Sequence, residues 1–156
     1  MKKTITISND EKIKEKKKIG IQIKNRWTGD IIFESEKTTY KEAVEEAVES
    51  GTNLSKADLY GADLSGTNLS GTNLYEADLS KADLSEANLY KANLYKADLS
   101  GTDLYEANLY KANLYKANLS KSDLYGAKFY GKTDNPIILK ENQVDNFLTA
   151  LGFKRE

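Results

Sequence analysis

Leucine returns at every fifth position through the middle of the chain: Leu54, Leu59, Leu64, Leu69, Leu74, Leu79, Leu84, Leu89, Leu94, Leu99, Leu104, Leu109, Leu114, Leu119 and Leu124, with Phe129 in the sixteenth place. Two residues before each stands a small side chain, Ala in eleven cases and otherwise Thr or Ser. Between the two lies Asn or Asp, with Lys128 the exception. No helix suits this spacing, because five residues advance about 500° and would smear the leucines around the surface. A flat strand fails too, since an odd period sends every second Leu into water. The chain must instead turn a corner once per repeat. The small residue and Leu then share the inner face of a short extended side. The next two residues, Ser or Tyr followed by Gly, Lys or Glu, make the corner, and Gly suits a corner built with positive φ.

The residue before Leu gives the number of sides. Asn53, Asp58, Asp63, Asn68 restarts as Asn73, Asp78, Asp83, Asn88, then as Asn93, Asp98, Asp103, Asn108, and last as Asn113, Asn118, Asp123, Lys128. A twenty-residue period therefore overlies the five. Four repeats close one rung, and the sixteen repeats of residues 52–131 stack as four rungs about 19 Å tall at the spacing of hydrogen-bonded strands.

The flanks follow other rules. Residues 1–51 are read as an arm, a β-hairpin and a capping helix. Thr4 to Ile7 suggests a short strand, and Lys12 to Lys18 a solvated lysine-rich arm, with an anionic-partner patch as the alternative. Ile19, Ile21 and Ile23 alternate with polar residues, Thr28-Gly29-Asp30 signals a turn, and Ile31-Ile32-Phe33 returns. Trp27 is expected to pack beside that turn, with a binding anchor as the other reading. From Thr39 to Gly51 a helix is predicted: Thr39 and Glu42 make a capping box, Ala43, Val44, Ala47 and Val48 share a face, and Gly51 ends it. Its stripe should cover the first rung around Leu54 and Leu59. Residues 132–156 are read as the second cap, a helix from about Glu141 to Leu151 carrying Val144, Phe147, Leu148 and Leu151; that stripe could also make a dimer.

The run Ala57-Asp58-Leu59-Tyr60-Gly61-Ala62-Asp63-Leu64-Ser65-Gly66 and its neighbours resemble the pentapeptide-repeat family. The resemblance implies a mainly β fold, a right-handed quadrilateral β-helix, here of about four coils. An N-terminal hairpin plus helix and a C-terminal helix would cap it. The phrase Ile23 to Asp30 resembles the leader hairpin of some members, including phage-associated ones. Some members resemble DNA in shape and charge and act on DNA gyrase, while most have no assigned activity.

Composition narrows the chemistry. Charge is balanced, 23 basic against 24 acidic residues, which argues against a dedicated polyanion binder. There is no Cys, consistent with a reducing compartment, and no His, the usual metal ligand and general base. No signal-like or membrane-length apolar run stands out, so a cytoplasmic protein is expected, with no membrane partner. Candidate catalytic side chains sit at repeated positions, as a structural role predicts, and no metal-spacing or phosphate-loop motif occurs. No catalytic residue, cofactor or metal is expected.

Sorting charges by side makes the solenoid two-sided. The third side carries Asp63, Asp83, Glu86, Asp103, Glu106 and Asp123 with no base. The corner between the fourth and first sides is basic and tyrosine-rich: Tyr75, Tyr90, Lys91, Tyr95, Lys96, Tyr110, Lys111, Tyr115, Lys116 and Tyr130. Six acids over about 19 Å give about one charge per 3 Å, against roughly one per 1.7 Å in duplex DNA. The expected function is a non-enzymatic structural or protein-interaction module, monomeric or dimeric through the C-terminal stripe. The alternatives are a DNA mimic acting on gyrase or another DNA-binding protein, and weak nucleic-acid binding at the Lys/Tyr corner.

Overall fold

The computed structural model describes residues 20–129. The strand at Thr4, the lysine run, Ile19, Tyr130 and the C-terminal helix with Val144, Phe147, Leu148 and Leu151 lie outside the described residues.

Strand β1 (Ile21–Asn25) and strand β2 (Ile31–Ser35) pair antiparallel, Ile23 opposite Phe33, with a bulge between Ile23 and Lys24. The turn between them is held by Asn25, whose Oδ1 accepts the N–H groups of Trp27 and Thr28 at 2.9 and 3.3 Å. Gly29 (φ +75°) closes it, a conformation that Gly takes without a Cβ clash. Ile23 is fully buried; the alternation of β1 places it on the inner face.

Helix α1 (Tyr40–Glu49) begins at Thr39, whose hydroxyl oxygen accepts the Glu42 N–H, and whose hydroxyl in turn donates to the Glu42 carboxylate at 2.9 Å. It ends in a Schellman arrangement. Gly51 N–H donates to Val48 C=O and Thr52 N–H to Ala47 C=O, with Gly51 at φ +72°. Ala43, Val44 and Ala47 are buried; Val44 and Ala47 join one apolar cluster with Ile23 and the leucines, and Val48 packs against it.

The coil itself is built from one unit. Leu54 to Leu124 at five-residue steps are all 3% exposed or less, and the small residues two before them are buried as well, except Thr52, which is half-buried. Phe129 is the exception, only partly buried against the cluster. Across each corner the small residue donates its N–H to the preceding Leu C=O, as Ala57 does to Leu54 at 3.1 Å. The residue before it takes positive φ, the requirement of a type II turn. Gly fills that place at 61, 66, 71, 101 and 126, but Lys or Glu fills it at ten corners from Lys56 (φ +62°) to Lys121 (φ +61°). Each such corner stores about 1–2 kcal/mol of strain.

Parallel bridges join residues twenty apart: Asp58, Asp78, Asp98 and Asn118 make one ladder, Asp63, Asp83, Asp103 and Asp123 the next, and Asn68, Asn88, Asn108 and Lys128 a third. On the first side the ladder starts only at Asn73 and continues to Asn93 and Asn113. The hairpin is not separate from this body. Residues Lys24 and Asn25 of β1 pair antiparallel with Asp58 and Ala57, the first coil's strand β3 (Ala57–Asp58), giving sheet order β2-β1-β3. Arg26 fastens the joint. Its backbone donates to Lys56 C=O, and its guanidinium meets the Asp78 carboxylate at 3.1 Å in the next coil. Trp27, by contrast, does not pack into the body: it is 67% exposed, with the Arg26 guanidinium 4.7 Å from its ring centroid.

Candidate interaction faces

Asn and Asp before each Leu work locally. The Oδ1 of Asp63, Asp83, Asp103 and Asp123 accepts the backbone N–H two residues on, at 2.9 to 3.1 Å, and so fastens the corner. Asn53, Asn73, Asn93 and Asn113 do the same. Either amide or carboxylate can therefore occupy the position. The choice between them sets charge, and an Asn can in addition donate its Nδ2 to the side chain twenty residues back, as Asn93 does to Asn73 at 3.1 Å.

On the acidic side one carboxylate oxygen per Asp is not used by its corner. Asp63 is pulled below the ordinary 3.8 by the backbone and then the hydroxyl of Ser65, against desolvation and with help from Lys41, whose ammonium donates to Ser65 C=O. Glu86 and Glu106 project from positive-φ corners and are exposed. Tyr105 and Tyr125 stack at 5.8 Å on this same side, and Glu106 beside Tyr105 raises that phenol above 10.0. The side thus carries six carboxylates and a short aromatic ladder.

The opposite corner is laid out differently. Tyr75, Tyr95 and Tyr115 stack with centroids 5.5 Å apart, and Tyr90 and Tyr110 at 5.6 Å. The lysine after each ring turns back over it: Lys91 on Tyr90, Lys96 on Tyr95, Lys111 on Tyr110 and Lys116 on Tyr115, at 5.0 to 5.4 Å. A base needs an open aromatic face, and within these stacks the faces are taken by neighbouring rings and ammonium groups. Glu76 ties the first side together, accepting from Tyr75 Oη at 2.8 Å and Lys96 Nζ at 3.2 Å. Those bonds hold Glu76 below 4.5, and raise Tyr75 above 10.0 and Lys96 above 10.5.

Among the described residues no three His, Cys, Asp or Glu side chains are placed to hold a metal ion. No described helix is long and apolar enough to cross a membrane.

The family model for pentapeptide repeats matches in eight copies over residues 52–89, 67–104 and 92–131, together half of the chain. The chain belongs to the pentapeptide-repeat family. This pentapeptide-repeat protein has that family's right-handed β-helix. Among solved structures it is similar to HetL, a pentapeptide repeat protein involved in heterocyst differentiation regulation from the cyanobacterium Nostoc: 39% identity, TM-score 0.50, over 51% of this chain and 37% of that one. The match thus spans little more than a third of HetL. A pentapeptide repeat protein from the Arabidopsis thaliana thylakoid lumen matches at 33% identity and TM-score 0.47, over 63% of this chain and 68% of that one. QnrB1, a plasmid-mediated fluoroquinolone resistance protein, matches at 19% identity and TM-score 0.27, over 64% and 68% of the two chains, too slight a likeness to bear on activity. A comparison with curated proteins yields no significant match.

Sequence reasoning left three elements of these faces unread: the pairing of β1 onto Ala57–Asp58, the Arg26–Asp78 bridge and the Lys-over-Tyr seating. The first two join residues more than thirty positions apart, and nothing local marks them. The third was signalled by Tyr-Lys at successive corner positions.

Proposed function

We propose that this protein is a non-enzymatic interaction module of the cytoplasm, a coil of four rungs capped by its hairpin and helix, that offers its acidic side to a basic protein partner. One observation carries the reading. The acidic side bears six carboxylates, with Lys41 alone beside them at the Asp63 end, on a backbone fixed by Asx corners and interstrand bridges, whereas the lysines opposite are seated on tyrosine rings. A pre-ordered charged surface recognises a complementary partner at little ordering cost. The runner-up, mimicry of DNA toward gyrase or another DNA-binding protein, has the right sign of charge but about half the density of a duplex.

The test keeps the fold and removes the charge. Asp83→Asn, Asp103→Asn, Glu86→Gln and Glu106→Gln together should leave the circular dichroism spectrum unchanged, since Asn already serves at equivalent corners. Host proteins captured by the native chain and identified by mass spectrometry should be lost with this variant and kept with Lys91→Gln/Lys111→Gln. Loss only with the lysine variant would overturn the choice of face. Inhibition of gyrase supercoiling at micromolar concentration would put the DNA-mimic reading first, and retardation of DNA or RNA in a low-salt gel would put the corner first.

A further inference from the structure

The ladder between coils follows one rule everywhere but at one place. Each Asn or Asp donates its N–H to a C=O of the coil before and accepts, at its own C=O, the N–H of the Leu there. Asn93 thus donates to Thr72 C=O and accepts from Leu74, both at 2.9 Å. The equivalent bonds of Asn73, to Thr52 C=O and from Leu54 N–H, are not formed, nor is there a bridge between Asn53 and Asn73. The side-chain ladder stops at the same point. Asn113 Nδ2 donates to Asn93 Oδ1 and Asn93 Nδ2 to Asn73 Oδ1, at 3.3 and 3.1 Å, but Asn73 Nδ2 does not reach Asn53.

The cause is the exit from α1. Thr52 N–H is held by Ala47 C=O at 2.9 Å, and its hydroxyl lies 2.9 Å from that of Ser50, so Thr52 stays with the helix end instead of closing on the coil. Beyond it Lys56 N–H meets Tyr75 C=O at 2.7 Å, and the ladder is whole again. Between the two anchor points the first and second coils part, leaving a cleft of about 360 Å³ lined by Val48, Thr52, Asn53, Ser70, Thr72 and Asn73. Thr72 is 7% exposed, and its Oγ1 is buried with no hydrogen-bond partner.

What this cleft fits follows from its inventory. Its groups without a protein partner are the main-chain N–H and C=O of Asn73, the C=O of Thr52 and the Nδ2 of Asn73, whose Oδ1 is already taken by Tyr75 N–H and Asn93 Nδ2. This alternation of donors and acceptors is one that another extended chain matches. None of the residues lining it, Gly51 and Gly71 included, is ionisable, so neither a phosphate nor a cation finds a counter-charge. The volume equals that of about a dozen waters at about 30 Å³ each, room for a short stretch of strand and not for a folded domain. We propose that the cleft between Thr52–Leu54 and Thr72–Leu74 binds an extended, uncharged segment of a partner polypeptide, which adds as a strand and stacks an Asn amide on Asn73. This rests on reading the protein as an interaction module and names a second contact on it.

The test uses the full chain labelled with nitrogen-15 and an acetylated, amidated peptide of sequence SANLS. In the free protein the amide proton of Asn73 should exchange with solvent far faster than that of Asn93; equal protection would mean a closed cleft and would overturn the inference. Added peptide should shift Asn53 and Asn73 first and protect the Asn73 amide. Asn73→Asp keeps the corner acceptor and removes the amide donor, and it should weaken the peptide about five- to tenfold. Shifts spread elsewhere, no shift at millimolar peptide, or equal affinity for Asn73→Asp would each refute the site. A host partner still lost on neutralising the acidic side would leave the interaction reading standing when the cleft fails.

Discussion

Two buried threonines in equivalent places should respond in opposite ways to the same substitution. Thr102 is 1% exposed and donates its hydroxyl to Leu79 C=O at 2.7 Å, the corner carbonyl twenty-three residues back in the coil below. Ser122 repeats this bond to Leu99 at 2.7 Å. The same offset from Thr67 arrives at Val44, and from Thr72 at Glu49, both in α1, where no corner carbonyl is offered. Accordingly Thr67 is fully buried with Oγ1 unpartnered. Thr102→Val forfeits one hydrogen bond, about 1 kcal/mol; Leu79 C=O still accepts from Ala82 N–H, so no acceptor is orphaned. Thr67→Val replaces an unmet hydroxyl by a methyl of similar size and should gain about 1–2 kcal/mol. The two variants share their chemistry, so effects on the unfolded chain largely cancel, and their difference should be about 2–3 kcal/mol. Urea unfolding followed by far-ultraviolet circular dichroism reads it as midpoints moving in opposite directions at constant m. A fall for Thr67→Val as large as for Thr102→Val would show that α1 supplies a carbonyl after all, and the argument from the missing lower corner would be wrong.

Other perturbations test the joints. Arg26→Ala should cost about 1–2 kcal/mol through loss of the half-buried bridge to Asp78. Because Trp27 is the sole tryptophan, already exposed and stacked on Arg26, its fluorescence intensity should change with little shift in wavelength; a large shift would contradict the exposure. Gly20→Ala would place a Cβ 1.9 Å from Lys37 C=O, so the strand entry must move, and hydrogen exchange at Gln22 and Glu34 should accelerate while the distant Leu99 amide is unaffected. Titration gives two limbs. Asp63 and Glu76 are depressed in the fold, so their contribution is present above 3.8 and 4.5 and is lost as pH falls through the lower folded values. Tyr75 and Tyr105 are raised, so theirs is present below pH 10.0 and lost as pH rises through the higher values. Glu76→Gln should bring the phenolate absorbance of Tyr75 back toward 10.0; an unmoved titration would mean that the Tyr75–Glu76 bond does not persist in solution.

The solenoid could be read from sequence because its defining contacts are periodic. Leucine at every fifth position and the Asn/Asp order at twenty carry the same information many times over, and the corners follow from the Gly at 61, 66 and 71. Helix α1 was legible for a different reason: Thr39, Glu42 and Gly51 act within a turn of themselves. Long-range fits were not. Whether Lys24 meets Asp58, or Thr52 stays on Ala47 and opens the ladder at Asn73, depends on how the helix end meets a coil edge, which no repeat encodes. Trp27 misled for a related reason. Its size suggested burial, but the hairpin pairs with the coil through Lys24 and Asn25 and points the turn outward.

The fifteen corners from Lys56 to Gly126 all bend with positive φ, yet they accept Gly, Lys and Glu alike. Path and surface are thereby uncoupled: the winding is dictated by the inward letters, while the outward letter can mutate between opposite charges without rerouting the chain. Selection acting on such a scaffold can redraw its exterior one position at a time, and a protein engineer has the same freedom.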